Sequence, residues 1–166
     1  MRWNIIWSLA MFEAVEESYV LVIDDDELIW FLIRDVLRQM DLLKGLKTFS
    51  EAEMALDFLR GLPTAPSSLV VDLNLPGMDG FDFLEHFQQE LYQHFAQTTV
   101  FVVSASTRLE DRERALSFPF VRNFYSKPLR LAQLREILRP ESSPLTVPDP
   151  GLAILPDQPF STALPA

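Results

Sequence analysis

From residue 20 to residue 139, short apolar runs alternate with longer stretches whose apolar residues recur at helical spacing. Residues 20–23 read as a buried strand, and residues 28–40 as a helix with Ile29, Leu32, Ile33, Val36, Leu37 and Met40 on one stripe. Residues 46–49 form a weaker strand. Ser50 then stands where a helix cap belongs, with Glu53 three residues on to complete a capping box, ahead of Ala52, Ala55, Leu56 and Leu59. Residues 69–71 are a third strand, followed by the turn-rich DLNLPGMDG. A helix over 81–92, a strand over 100–103, a polar helix over 108–117, a strand over 121–125 and a helix over 131–138 complete the pattern. Five strands alternating with five helices predict an α/β fold: a doubly wound, five-stranded parallel sheet with helices on both faces and right-handed crossovers.

Beyond Arg139 the alternation stops. Residues 140–166 hold seven prolines in 27 positions and no basic residue, which reads as an extended or disordered tail. Its short GLAIL run is a candidate docking peptide, although one apolar run in such a tail is more often without a role. The expected organisation is an N-terminal extension over 1–17, one domain over 18–139 and the proline-rich tail over 140–166. The first ten residues have one arginine and a short apolar run, as a signal peptide does. They lack a small-x-small cleavage site, and Glu13, Glu16 and Glu17 follow at once, so secretion is not expected. Met11 is an alternative start; native protein whose intact mass includes Met1 to Ala10 would exclude it.

Composition narrows the function. The formal net charge is −10, which disfavours a nucleic-acid surface, where basic patches contact phosphates. There is no cysteine, so disulfides and thiolate metal sites are excluded. No apolar run reaches the roughly 18 residues that span a bilayer.

The chemically useful side chains fall at strand ends. Asp24 and Asp25 follow the first strand, Asp72 the third, Ser104 the fourth and Lys127 the fifth. An open parallel sheet binds ligands beyond the carboxyl ends of its strands. If the first and third strands are neighbours, Asp24, Asp25 and Asp72 converge on one small site. Three convergent carboxylates raise one another's pKa, and a hard cation such as Mg²⁺ relieves that repulsion with oxygen ligands. Lys127 adds a positive charge and Ser104 a hydroxyl, which suits a phosphoryl group on or beside Asp72. Each residue has a plainer reading: Asp24 and Asp25 as caps, Asp72 as a turn opener, Ser104 and Lys127 as surface residues. Five coincidences at corresponding strand ends favour the joint site. Asp26 and Glu27 are read simply as the acidic start of a helix.

The segments VLVIDDD, LVVDLNLPGMDGFDFL, VFVVSAS and NFYSKPL, in this order and spacing, resemble the response-regulator receiver domain of two-component signalling. The resemblance spans nearly all of 18–139. It implies a flavodoxin-like sheet of order 2-1-3-4-5 and roles residue by residue. Asp72 would accept a phosphoryl group from a phosphohistidine on a kinase or relay protein. Asp25 and Asp72 would ligate Mg²⁺ directly with the backbone carbonyl of Asn74, and Asp24 through a metal-bound water. Lys127 and Ser104 would bind phosphoryl oxygens, Phe124 would be the switch aromatic, and the Lys127–Pro128 bond would often be cis. The region 108–138 would change for partner binding.

A stand-alone receiver is expected, since no DNA-binding pattern follows Arg139, and the net charge and the short apolar runs speak against nucleic acid or membrane as partner; the expected setting is cytoplasmic. The receiver's expected partners are a histidine kinase or histidine phosphotransfer protein and an unidentified downstream protein; enzymatic turnover beyond self-phosphorylation and self-dephosphorylation is not expected. Two departures stand out. Phenylalanine replaces the usual tyrosine at 124, where a core role is the alternative, with Tyr125 on the opposite face. FPFVRN also lacks the small Gly-Ala pair frequent before that position. A haloacid-dehalogenase-like phosphatase is a rival reading, since DDDEL contains Asp-x-Asp after a buried strand. That class also wants an acidic pair after the lysine, and Glu141, Asp149 and Asp157 lie scattered in the tail. A phosphorylation-independent interaction module is the second rival, and the intact set of five site residues argues against it.

Overall fold

The computed structural model describes residues 19–39 and 45–138; the expected N-terminal extension and proline-rich tail lie outside the described residues. Its strands are β1 (Tyr19–Ile23), β2 (Gly45–Phe49), β3 (Ser68–Val71), β4 (Thr99–Ser104) and β5 (Val121–Ser126). The helices are α1 (Glu27–Gln39), α2 (Ala52–Arg60), α3 (Gly80–His86), α4 (Leu109–Leu116) and α5 (Leu131–Leu138). All strand pairs are parallel, in the order β2-β1-β3-β4-β5, as expected from the sequence.

Alternation along the strands divides the core into two layers, because successive side chains leave opposite faces. Leu21, Ile23, Leu69, Val71, Val100 and Val102 pack under α2, α3 and α4. Val20, Val22, Val70, Phe101 and Val103 pack under α1 and α5. Every residue of β1 and of β3 is buried, whereas edge strand β2 has none fully buried. That contrast is why VLVI and LVV are continuous apolar runs and GLKTF is not.

Two local expectations need correction. Ser50 does not cap α2: Glu51 occupies the cap position, and its side chain makes no capping bond. Glu53 is not half of a capping box either, because its Oε1 accepts the Met78 N–H at 2.9 Å. A donor in the loop after β3 thus takes the carboxylate that the local pattern assigned to the helix start. The expected single helix over 81–92 is α3 followed by a π turn over Phe87–Leu91, closed by the Tyr92 N–H on the Phe87 carbonyl at 2.8 Å. The wider turn accommodates an extra residue while Phe87, Leu91 and Phe95 all stay in the core.

Candidate functional site at the carboxyl edge of the sheet

The ladder itself brings the acids together. Ile23 pairs with Val71, and hydrogen bonding continues one residue further: the Asp72 N–H donates to the Ile23 carbonyl and the Asp24 N–H to the Phe49 carbonyl, both at 2.9 Å. Asp24 and Asp72 therefore leave adjacent strands side by side. Both are buried, whereas Asp25 is exposed at the mouth. One carboxylate oxygen from each of the three lies within 4.8 Å of the others.

Lys127 reaches into this cluster from the end of β5. Its Nζ lies 2.6 Å from Asp72 Oδ2, and 2.9 and 2.8 Å from Asp24 Oδ1 and Oδ2. The Lys127–Pro128 bond is cis. Burial is the largest influence on Asp24 and pushes its carboxyl up, in spite of the hydrogen bond from Lys127. Burial also opposes the Lys127 ammonium, but its hydrogen bonds to Asp24 and Asp72 outweigh that and hold it above its usual range. The lysine is therefore the settled member of the group, and the buried carboxylate carries the electrostatic cost.

One ammonium cannot neutralise three carboxylates. Asp24 Oδ2 is buried and, although 2.8 Å from Nζ, accepts no hydrogen bond of acceptable geometry. A set of hard oxygen donors with a spare buried lone pair and net negative charge fits a small divalent cation. Asp24 Oδ1 is committed to the Asp26 N–H at 2.9 Å. Asp26 Oδ1 in turn accepts the Leu28 N–H at 3.0 Å, capping α1 as its plainer reading anticipated.

The opposite wall comes from β4 and the loop after β3. Ser104 is fully buried as the last residue of β4 rather than the first of a loop. Its Oγ accepts the Ser106 N–H at 3.2 Å and lies 3.4 Å from Asn74 Nδ2. The Asn74 N–H donates to Asp72 Oδ1 at 3.1 Å, fixing that carboxylate. Phe124 does not join the polar cluster. Its ring is buried in the layer under α2, α3 and α4, while Tyr125 lies in the layer under α1 and α5, as strand alternation requires.

Three positions that shape the site were not singled out in the sequence. Gly80 lets α3 start against the backbone of Asp72, since a Cβ there would lie 2.1 Å from the Asp72 carbonyl oxygen. Gly77, at φ +75°, leaves room for Glu53, which ties α2 to the same loop. Arg112 donates from Nη1 to the Phe124 carbonyl at 2.9 Å, with its guanidinium 5.7 Å from the ring centroid. GMDG signalled the glycines only as turn residues; the arginine had no local signal.

Residues 20–139 match the family model of the response regulator receiver domain, and the chain belongs to that family. It is 27% identical over 134 residues to the KDP operon transcriptional regulatory protein KdpE of Escherichia coli (strain K12), covering 79% of this chain and 55% of that protein. The chain spans about half or less of the length of the curated relatives it matches. Among solved structures, a two component response regulator from Cytophaga hutchinsonii superposes with a TM-score of 0.65 at 25% identity, covering 74% of this chain and 95% of that one. A response regulator receiver protein from Dyadobacter fermentans DSM 18053 gives 0.62 at 26% identity, covering 74% and 96%. The chain thus holds the receiver domain of a response regulator, a class consistent with two-component signalling. No helix among the described residues is long and apolar enough to cross a membrane.

Proposed function

We propose that the protein is a phosphorelay receiver that takes a phosphoryl group from a phosphohistidine of a sensor kinase or relay protein onto Asp72. The observation that carries this reading is Lys127 Nζ at 2.6 Å from Asp72 Oδ2, within a cluster of three carboxylates at the ends of β1 and β3. In the transfer, an Asp72 carboxylate oxygen forms a bond to phosphorus as the phosphorus–nitrogen bond to the donor imidazole breaks. The imidazole leaves with that electron pair and takes a proton from solvent, and Asp72 becomes an acyl phosphate.

Phosphoryl transfer depends mainly on alignment and on neutralising charge over the transferred oxygens. Lys127 supplies a fixed positive charge, and the Asn74 N–H holds one oxygen of Asp72 while the other stays beside Nζ. Ser104 Oγ provides a donor for a phosphoryl oxygen once its own contacts rearrange. Asp25, Asp72 and the backbone carbonyl of Asn74 are the proposed direct ligands of Mg²⁺, with Asp24 acting through a bound water. When present, the cation offsets negative charge on the carboxylates and the phosphoryl oxygens.

The acyl phosphate would draw Ser104 and Lys127 toward itself and bias a two-state rearrangement. Residues 108–138 contain Lys127 and follow Ser104 in the chain, and Phe124 is the proposed switch ring behind the lysine. The output is a changed surface for a downstream protein rather than turnover of an external substrate, and the proposed setting is cytoplasmic. Incubation with a small acyl-phosphate donor and Mg²⁺ should label the wild-type protein, and Asp72→Asn should abolish the label. Undiminished labelling of that variant would refute the assignment.

A further inference from the structure

The charge of this chain is unevenly distributed. Residues 108–139 carry eight of its fourteen basic residues and four of its twenty-four acidic ones, in a protein of formal charge −10. Within that region a groove of ≈ 580 Å³ runs between α4 and α5 over β5. Its lining includes Arg112, Asn123, Phe124, Leu129, Arg130 and Gln133.

Its two arginines differ from the ion-paired Arg60 and Arg114, and in this they resemble Arg34, Arg38 and Arg135. Arg60 pairs with Asp57 and Glu90, and Arg114 with Glu85. Arg112 and Arg130 are exposed and have no carboxylate partner among the described residues. Leu129 lines the groove itself, and Leu109 and Leu131, at the starts of the two flanking helices, are 63% and 47% exposed, so apolar side chains accompany the cationic lining. Its chemical complement is an extended segment with an apolar centre and acidic flanks.

The chain contains such a segment just beyond α5. Residues 149–157 read DPGLAILPD: four apolar residues with Asp149 and Asp157 on either side, in a stretch of 27 residues without a basic side chain. Leu138 ends α5, and Gln133 and Arg130 lie roughly 8–12 Å back along that helix at 1.5 Å per residue. The ten residues from 139 to 148 can span about 30 Å when extended. They are long enough to turn back and lay 149–157 along the groove.

We propose that residues 149–157 dock in cis in the α4–β5–α5 groove. Asp149 and Asp157 pair with Arg112 and Arg130, and the LAIL centre covers the apolar side chains. The docked segment is an internal occupant that any protein seeking this face must displace. This inference rests on charge and shape and does not depend on Asp72 being phosphorylated.

The absence of cysteine allows a single spin label on the full chain through Ser161→Cys. Amide spectra should show intensity loss concentrated at Arg112, Asn123, Phe124, Arg130 and Gln133. The loss should be unchanged when labelled protein is diluted with unlabelled protein. It should fade in about 1 M salt, where the Debye length is roughly 3 Å, and in the Arg112→Glu/Arg130→Glu variant. Loss spread evenly over the surface, or none, would overturn the proposal. Loss on this face that disappears on dilution would also overturn it, in favour of a second copy. Loss that survives both high salt and the charge reversal would overturn the pairing with the arginines.

Discussion

A methyl group at position 80 would sit 2.1 Å from the carbonyl oxygen of Asp72 and 2.7 Å from the Cα of Leu73. The clash is with backbone, so no side-chain rotation relieves it, and α3 would have to move away from the strand that presents Asp72. Gly80→Ala should therefore destabilise the fold by about 1–3 kcal/mol, the usual range for overpacking. A urea titration reads this as a lower midpoint, and an unchanged midpoint would show that the approach of α3 is not required. The two kinds of site residue differed in how far the sequence revealed them. Asp24, Asp25 and Asp72 were legible because charged residues directly after an apolar strand stand out against their context, and Lys127 because it falls at the corresponding end of the fifth strand. Gly80 was not, because its importance lies in a through-space approach to Asp72 that turn chemistry does not encode.

At the scale of elements, the link between α2 and the loop after β3 is a single carboxylate. Glu53 Oε1 accepts the Met78 N–H at 2.9 Å, and Gly77 at φ +75° gives it the space. Because the bond is exposed, Glu53→Ala should cost only about 0.5–1.5 kcal/mol. Its clearer signature should be faster hydrogen exchange at the Met78 amide, with the central strands unaffected. Unchanged exchange at Met78 would mean that the loop is held by other contacts. The same residue shows where local reasoning stopped. S-E-A-E has the spacing of a capping box, and only the tertiary fold brings a competing donor to Glu53. The helices and strands themselves were readable to within a residue or two, because their apolar periodicities are strong. The exception is the stretch after His86, where a π turn and an α turn leave nearly the same apolar residues facing the core.

The whole molecule can be viewed as an acidic site whose charge is only partly balanced by its one lysine. A ligand that binds the folded state alone stabilises it by mass action, about 2.7 kcal/mol at one hundred times its dissociation constant. Added Mg²⁺ should therefore raise the thermal midpoint of the wild-type protein, and Asp25→Asn, an exposed change that leaves the buried pair with Lys127 intact, should remove most of that rise. Equal Mg²⁺ responses from the two proteins would place the cation elsewhere. The sheet order that creates this site came from the resemblance of four motifs, since periodicity alone does not say that β1 lies between β2 and β3. Once that order is known, the convergence of Asp24 and Asp72 follows from register.

The central claim is that Asp72 receives the phosphoryl group. Borohydride reduces an aspartyl phosphate to homoserine, so treatment with a small phosphodonor and Mg²⁺, followed by reduction and peptide mass spectrometry, marks the acceptor directly. Homoserine at position 72, and at neither 24 nor 25, is the result expected. Homoserine at Asp24 or Asp25 instead, or at no aspartate under conditions that label the protein, would contradict the account.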